Sequence, residues 1–269
     1  MKSHRGKTER RGEEMNNKIV VGLQMYTLRD FCRTPDDVAK TLDRVRETGY
    51  RVIQASGMVK MEAESLKKLL TERGLTVCST HTSYQEIIKE TERVIAEHQI
   101  LGCQAIMCPG LPGELHNDSG YRQVAACFSQ ILPRIQKAGL RLGYHNHAVE
   151  LERYRGKTGL EILLENCPQL EAEIDTYWIQ YGGGDPAFWI EKYAARVSEV
   201  HVKDMGIIKG KQVMPPIGTG NLNWKRILQA CKKASVDYCL VEMDTTTVEP
   251  FEAIRISLEN LVASGLKVM

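Results

Sequence analysis

Four strand-like segments of the sequence each end in a side chain of a type that binds metal ions. They span residues 140–144, 171–174, 197–200 and 239–241, and they run directly into His145, Asp175, His201 and Glu242. In a barrel of parallel strands the carboxyl ends of all strands meet at one rim, where distant segments can share one ion. The pattern therefore predicts a metal site and chemistry on a small polar molecule.

Strand and helix signals alternate along the rest of the chain. Earlier strands are expected at residues 19–23, 50–53, 75–78 and 105–107, which makes eight strand–helix units in order. Short apolar strands of this kind suit a sheet that is buried on both faces. We therefore predict an α/β protein with a single-domain (β/α)8 TIM barrel, with an open doubly wound sheet as the alternative.

Capping and stop signals place the helices between these strands. Thr34 and Pro35 suit the start of a helix, and Gly49 suits its end. Further helices are expected before Gly74, at residues 87–101, 121–138 and 159–165, after Asp185, and at residues 223–234 and 250–264. Glycine and proline residues between positions 205 and 221 predict a long loop.

Composition argues against several classes of protein. Lys and Arg number 36 against 34 Asp and Glu, so the charge indicates no nucleic-acid partner. The eight cysteines form no Cys-x-x-Cys pair, which predicts core thiols in a reducing, cytoplasmic compartment. No apolar stretch reaches the ~20 residues of a membrane span. Residues 1–17 are almost wholly polar, and we predict a disordered leader there and the barrel domain over residues 18–269.

The ends of the later strands carry the predicted ligands and catalytic residues. His145 and His147 share one face of a strand, because side chains alternate, and both are predicted to act in catalysis. Asp175 and Glu242 stand among apolar or aromatic neighbours, where an ionised carboxylate is costly unless it is paired or coordinated. Together with His201, which points inward in the same alternation, they are predicted to bind the metal.

Two further residues have roles that the residues alone leave open. Glu150 lies three positions past His147, on a loop that would roof the rim, and is a ligand, a base or a surface glutamate. Lys203 shares the inward phase of His201, and it either holds an anionic intermediate or pairs with Asp204. We place Glu150 with the predicted metal ligands and Lys203 with the predicted catalytic residues.

Other strand ends offer weaker candidates for contact with a substrate. Gln24 and Tyr26 follow the first strand, Gln54 ends the second and His81 ends the third. Trp178 follows the sixth strand and either stacks on a sugar or packs in the core.

Carboxylates combined with imidazole suit a divalent metal ion. The oxygen ligands favour Mn²⁺ or Mg²⁺, and the histidines are also compatible with Zn²⁺ or Co²⁺. Such an ion can bind the carbonyl and hydroxyl oxygens of a sugar and stabilise the enediolate that forms when a proton leaves the adjacent carbon. A nearby carboxylate or imidazole then moves that proton. The sequence therefore predicts a metal-dependent isomerase or epimerase of a sugar or keto-sugar, active in carbohydrate metabolism.

These stretches together resemble the xylose-isomerase-like barrel superfamily, in its sugar phosphate isomerase/epimerase group. The matching residues are 142–150, 173–178, 199–204, 218–220 and 241–242, and the resemblance spans roughly residues 18–265. It implies a (β/α)8 fold with a metal at the carboxyl ends of strands five to eight. By position it implies Asp175, His201 and Glu242 as ligands.

Two positions depart from the pattern of this family. Its usual first ligand is a glutamate on strand five, where this chain has two histidines, so the fourth ligand stays open between Glu150 and His147. Its epimerases often place a histidine three residues after the strand-six aspartate, and that position is Trp178 here. Relatives with histidine-rich fifth strands include inosose-type dehydratases and keto-glycoside deglycosidases. A lyase that uses the same site is therefore the alternative function.

Two other functions fit the sequence less well. A DNA-repair enzyme similar to endonuclease IV needs a basic groove and several zinc ions, and the near-neutral charge is unfavourable to it. A non-catalytic subunit would not need the full ligand set. We expect a small carbohydrate as the partner, without nucleic acid or membrane, and the sequence is compatible with a homo-oligomer.

Overall fold

Eight parallel strands close into a barrel in the computed structural model, which describes residues 19–269. The strands are β1 (Val20–Gln24), β2 (Val52–Ala55), β3 (Thr76–His81), β4 (Ala105–Cys108), β5 (Arg141–His145), β6 (Glu171–Asp175), β7 (Glu199–Val202) and β8 (Tyr238–Val241). Each strand pairs with the next in sequence, and β8 closes the ring on β1 with Leu23 opposite Val241. The predicted (β/α)8 TIM barrel is confirmed, whereas the predicted leader at residues 1–17 lies outside the described residues.

Helices surround the barrel. They are α1 (Pro35–Thr48), α2 (Ala63–Glu72), α3 (Tyr84–Lys89), α4 (Thr91–Leu101), α5 (Asp118–Lys137), α6 (Gly159–Asn166), α7 (Thr176–Tyr181), α8 (Pro186–Lys192), α9 (Trp224–Lys233) and α10 (Pro250–Ala263). Two short β-hairpins lie in the connections between strands and helices. One pairs Arg153–Tyr154 with Lys157–Thr158, and the other pairs Gly206–Ile208 with Lys211–Val213. Within the described residues no helix combines the length and the apolar character that crossing a membrane requires.

The ends of α1 show how local chemistry sets the helix boundaries. Thr34 accepts a hydrogen bond from the backbone of Asp37, and the Asp37 carboxylate accepts one from the Thr34 backbone. This reciprocal cap satisfies two amides that a helix start otherwise leaves without partners. Gly49 ends the helix with a φ of 118°, a conformation that glycine adopts at little cost.

Three features of the connections differ from the expectations. The helix expected over residues 87–101 is divided into α3 and α4 at Glu90, whose φ of −127° and ψ of 34° are not helical. The expected loop at residues 205–221 contains the second hairpin. The helix α7 was not expected, and it begins because the Asp175 carboxylate accepts a hydrogen bond from the Trp178 backbone. A side-chain cap of this kind can start a helix where the hydrophobic pattern does not predict one.

The amino end of the barrel interior contains an apolar cluster beside charged side chains. The cluster consists of Val52, Cys78 and Leu240 with Val20 and Tyr238 packed against them, and Arg141 lies 4.0 Å from Glu199 at the same end. Gly22 leaves room for this cluster, since a Cβ atom there would lie 2.7 Å from Leu240 Cδ2. Residues nearer the carboxyl ends of the strands are polar and charged, and they form the site described next.

Candidate metal centre at the carboxyl ends of the strands

Four of the sequence-predicted residues converge at the carboxyl end of the barrel. His145, Asp175 and His201 stand on β5, β6 and β7, and Glu242 follows β8 directly. One nitrogen or oxygen atom from each lies within 4.8 Å of the others, and all four side chains are buried. We call these four residues the outer group.

Distances in the outer group suit ligands arranged around one cation. Asp175 Oδ2 lies 3.9 Å from His145 Nε2 and 4.0 Å from His201 Nδ1, and His201 Nδ1 lies 2.6 Å from Glu242 Oε2. Bonds of about 2.1 Å from an ion to each ligand allow separations of up to about 4.2 Å, so the two longer distances are compatible with a shared ion, whereas the 2.6 Å between His201 and Glu242 is a hydrogen bond. The Asp175 Oδ1 atom caps α7, whereas Oδ2 is buried and accepts no hydrogen bond within the described chain. These residues therefore fit a divalent metal ion.

A second, deeper group contains a carboxylate that the sequence analysis missed. Glu173 is fully buried, and together with His81, His145 and His201 it forms what we call the inner group. Its Oε2 atom lies 2.8 Å from His81 Nε2 and 3.4 Å from His145 Nδ1, and its Oε1 atom lies 3.1 Å from His201 Nε2. The sequence could have indicated Glu173, because it stands two residues before Asp175 and side chains two residues apart on a strand point to the same side.

The two predicted substrate-binding amides lie beneath the site. Gln24 and Gln54 are fully buried and hydrogen-bonded to each other. Gln54 Oε1 lies 2.7 Å from His201 Nε2, and its amide group donates to Glu173 at 2.6 Å and to Ser79 at 2.8 Å. Because both amides are enclosed and engaged, their position suits support of the histidines rather than contact with a substrate.

The predicted ligand Glu150 does not join either group. Its Oε1 atom accepts a hydrogen bond from Tyr144 Oη and its Oε2 atom accepts one from the backbone of His147, each at 2.7 Å. Tyr144 packs in the apolar layer outside the strands, on the face opposite to His145. Glu150 is thus held outside the barrel interior, and His145 stands where the strand-five ligand is needed.

The predicted catalytic Lys203 is buried among three carboxylates. Its Nζ atom lies 3.2 Å from Asp175 Oδ2, 3.0 Å from Glu242 Oε2 and 3.0 Å from Asp244 Oδ1. Asp244 was missed by the sequence analysis, although it shares the phase of Glu242. Pairing with Asp204 was one of the two roles considered for Lys203, and the structure does not show that pair.

Asp204 instead anchors the loop that follows β7. Its Oδ2 atom accepts hydrogen bonds from the backbones of Gly218 and Gly220 at 2.9 Å each and from Trp224 Nε1 at 2.7 Å. A Cβ atom on Gly220 would lie 2.4 Å from Asp204 Oδ1, so no larger residue fits there. Gly220 is therefore explained by its close approach to Asp204, whereas Gly218 has a φ of 85°, a conformation that favours glycine.

Charges in the outer group are set by their neighbours. Burial disfavours the charged form of His201, but Glu173 and Glu242 outweigh it and raise its pKa to about 10. Burial raises the pKa of Asp175 to about 6 in spite of Lys203. Burial also opposes ionisation of Glu242, yet Lys203 and His201 hold its pKa well below the ordinary value. In the absence of an ion, His201 therefore carries a proton that a metal would displace.

The two histidines at the end of β5 are both neutral at pH 7. Burial and the nearby His201 lower the pKa of His145 well below its ordinary value. Burial likewise lowers the pKa of His147, against the opposing charge of Glu150. Neutral imidazoles can accept a proton or bind a metal.

A pocket of about 570 Å³ opens above the outer group. Among the residues that line it are Tyr26, His81, His145, His147, Trp178 and Glu242. No hydrogen bond within residues 19–269 engages the ring nitrogens of His147, and the indole nitrogen of Trp178 is buried without a partner there. The pocket thus offers the ring nitrogens of His147 next to the candidate metal ligands.

Known proteins resemble this chain in sequence and in structure. An inosose dehydratase of Geobacillus kaustophilus (strain HTA426) is 24% identical over 190 residues, which are 62% of this chain and 61% of that protein. The structure of a sugar phosphate isomerase/epimerase from Parabacteroides distasonis ATCC 8503 is 24% identical, with a TM-score of 0.74 over 94% of this chain and 96% of the other. An IOLI protein with a bound zinc atom is 12% identical, with a TM-score of 0.70 over 91% and 97% of the two chains.

The likeness to these structures reflects the fold, and the chain spans less than two thirds of the dehydratase. A family model described as "Xylose isomerase-like TIM barrel" matches residues 42–264, which is most of the sequence. Because the barrel and this match agree, the chain belongs to the xylose isomerase-like TIM barrel family.

Proposed function

We propose that this protein is a divalent-metal-dependent isomerase or epimerase that acts on an unphosphorylated keto-sugar. The observation that carries the proposal is the convergence of His145, Asp175, His201 and Glu242 beside an open pocket. The volume of that pocket falls within the range of about 300–1,000 Å³ that is typical of small-molecule sites. Fold alone would not support the proposal, because function depends on the site.

The four residues of the outer group would hold the ion. When bound, a divalent cation supplies positive charge that stabilises negative charge developing on a carbonyl oxygen of the substrate. Two imidazoles and two carboxylates suit Mn²⁺, Zn²⁺ or Co²⁺ better than Mg²⁺, which prefers oxygen ligands. We therefore narrow the expected ion to one of these transition metals, with Mn²⁺ first because half of the ligands are carboxylates.

Proton transfer is assigned to residues that border the pocket. His147 is neutral and its ring nitrogens are free, so it can accept a proton from the carbon next to a carbonyl. Glu242 also borders this pocket, but it is assigned to the metal and its pKa lies well below the ordinary value, so the protonated His147 would itself return the proton. Lys203 stays positively charged beside Asp175, Glu242 and Asp244, and it stabilises the negative charge of the site.

The lining of the pocket favours a substrate without a phosphate group. No Lys or Arg appears among the lining residues of the described chain, and Asp244 adds a negative charge at the edge. Recognition of a phosphate group usually requires charge-assisted hydrogen bonds from cationic side chains. Trp178 and Tyr26 offer apolar faces for a sugar ring.

A lyase that eliminates water or an aglycone is the second candidate function. The similarity to an inosose dehydratase favours it, as does Trp178 in the position where epimerases of this family often have a histidine. Elimination begins with the same removal of a proton and then needs an acid for the leaving group. His147 lies with its ring centroid 5.5 Å from that of Trp178 and can serve as this acid once it is protonated.

Incubation of the metal-loaded protein with keto-sugars in D₂O separates the two functions. Deuterium next to the carbonyl without loss of mass supports isomerisation or epimerisation, whereas an enone product supports elimination. Matched phosphorylated keto-sugars test the substrate class, and we expect them to react more slowly. If calorimetry detects no binding of Mn²⁺, Zn²⁺ or Co²⁺ to the purified protein, both functions are excluded.

The Glu242→Gln variant tests the outer group directly. We expect the affinity for divalent metal to fall by at least about 100-fold, because a charged ligand is replaced by a neutral one, while the fold is retained. The exposed Glu259→Gln variant is the control and should bind metal like the wild type. Full activity of Glu242→Gln would remove Glu242 from the site.

A further inference from the structure

The outer and inner groups share two histidines and therefore cannot both be simple metal sites. His145 and His201 belong to both groups. A neutral imidazole has one nitrogen with a free lone pair and one that carries a proton. Two ions would require both rings to lose that proton and bridge, so the groups are better assigned different roles.

Hydrogen bonds already occupy Glu173 and His81 of the inner group, whereas Nδ1 of His145 has no hydrogen-bond partner within the described residues. Glu173 Oε2 accepts from His81 Nε2 at 2.8 Å, and Glu173 Oε1 accepts from Gln54 Nε2 at 2.6 Å. The other ring nitrogen of His81 lies 3.3 Å from Gln24 Nε2, so both of its nitrogens are engaged. By contrast, Asp175 Oδ2 in the outer group accepts no hydrogen bond from any described residue. Lys203 Nζ lies 3.2 Å from this oxygen, but Asp175 Oδ2 is the buried carboxylate oxygen of the two groups that no described residue hydrogen-bonds, which leaves the outer group a ligand atom for a cation.

Glu173 also faces one particular nitrogen of each shared histidine. Its carboxylate lies 3.1 Å from Nε2 of His201 and 3.4 Å from Nδ1 of His145. The opposite nitrogens, Nδ1 of His201 and Nε2 of His145, are the ones that lie 4.0 Å and 3.9 Å from Asp175. A carboxylate beside one ring nitrogen keeps a proton there and leaves the lone pair of the other nitrogen for a metal.

We infer that Glu173 is a positioning residue that orients His145 and His201 toward a cation held in the outer group. The inference rests on the proposed function. Through Glu173 the two rings present different nitrogens to the ion, Nε2 from His145 and Nδ1 from His201. His81 is anchored to the same carboxylate and is not a ligand, so it stays available to border the pocket.

Nuclear magnetic resonance of ¹¹³Cd²⁺-loaded protein labelled with ¹⁵N-histidine tests the orientation. We expect cadmium–nitrogen couplings to His201 Nδ1 and His145 Nε2 and none to His81, with His81→Asn retaining both couplings. Coupling to His81 or to His201 Nε2 would place the ion in the inner group and overturn the inference. The couplings of the wild-type protein decide this test by themselves, so it does not depend on whether the variant folds.

A matched pair of variants separates positioning from a general effect of buried carboxylates. Glu199 is also fully buried in the barrel interior, but within residues 19–269 it hydrogen-bonds to Ser79 and to Gln54 and to no histidine. We expect Glu173→Gln to weaken Cd²⁺ and Mn²⁺ binding by about 10–100-fold and to alter the couplings. Glu199→Gln should change the affinity by less than about threefold.

The outcomes distinguish this inference from the proposed function. Equal losses in the two variants would show a general requirement for the polar layer and contradict a positioning role. Wild-type affinity and unchanged couplings in Glu173→Gln would overturn the inference while the metal site stands. No binding of any cation to the wild type would refute the proposed function itself.

Discussion

Neighbouring histidines on the same strand end have different surroundings and therefore different chemistry. His145 is buried between Glu173 and Asp175, where its two nitrogens face a carboxylate on either side. His147, two residues later, also borders the pocket but has no hydrogen-bonding partner for its ring in the part of the chain that the structure describes. Alternation along the strand predicts that the two share a side, but it does not show which of them is enclosed.

The His147→Asn variant should separate proton transfer from metal binding. We expect kcat to fall by about 100- to 10,000-fold, because the proposed base is lost, while the affinity for Mn²⁺ stays unchanged. Steady-state kinetics and calorimetry on the same preparation check this result. His116→Asn is a matched control, since His116 lies near Glu150 and does not line the pocket. A variant of His147 with normal kcat would exclude that residue from the chemistry.

At the scale of single elements, Asp204 determines the shape of the loop between β7 and α9. In addition to its contacts with Gly218, Gly220 and Trp224, its Oδ1 atom accepts a hydrogen bond from the Met205 backbone at 2.8 Å. Buried amides that lose such a partner are costly. The loop therefore depends on a single carboxylate next to Lys203, which itself belongs to the candidate site.

Replacing Asp204 by Asn should destabilise this loop. One oxygen becomes an amide group that faces N–H donors, so we expect a loss of about 2–4 kcal/mol in the free energy of unfolding. Urea denaturation measures the loss, and hydrogen exchange should show faster exchange at residues 205–222. Asp185→Asn is the control, because Asp185 is more exposed, caps α8 and pairs with Arg226, and it should cost no more than about 1 kcal/mol. A loss for Asp204→Asn no larger than that of the control would contradict the anchoring role.

Elements that follow a hydrophobic period were predictable, whereas those that depend on side-chain caps were not. The eight strands and most helices appear within a few residues of their expected positions, because buried apolar periodicity is a local signal. The break at Glu90 and the helix α7 depend on one conformation and one cap, respectively, which periodicity does not report. The same limit applies to the site, where Glu150 was expected among the ligands but turns toward Tyr144.

Across the whole molecule, the barrel interior is arranged in layers along its axis. The apolar cluster around Leu240 lies at the amino end beside Glu199, a layer with Gln54 and Glu173 follows, and the outer group lies beneath the pocket. The alternation of side chains predicts that Asp175 and Glu242 lie at the carboxyl end of the interior, because both residues follow apolar strand segments that the sequence identifies. Hydrogen-bond partners from strands that are distant in sequence, such as Glu173 with His81, depend on how the barrel closes.

The charge balance of this interior predicts how stability depends on metal and pH. In the metal-free protein the pKa of His201 is about 10, above the 6.5 of a free histidine, because Glu173 and Glu242 outweigh burial. Its proton therefore contributes stability that is fully present below pH 6.5 and is lost as the pH rises toward 10. A cation must displace that proton, so its apparent affinity should rise about tenfold per pH unit between pH 6 and 8.

Thermal unfolding with and without a fixed concentration of Mn²⁺ at pH 6, 7 and 8 measures this coupling. We expect the stabilisation by Mn²⁺ to increase with pH, by up to about 2.7 kcal/mol over two units once Mn²⁺ is in excess of its Kd. Below pH 6 the dependence should steepen, because Asp175, whose pKa is raised to about 6 by burial, then carries a second proton that the ion must displace. Glu242→Gln should show no such stabilisation at any pH. A stabilisation that is constant or declines from pH 6 to 8 would mean that the ion binds without displacing the His201 proton, and hence outside the outer group.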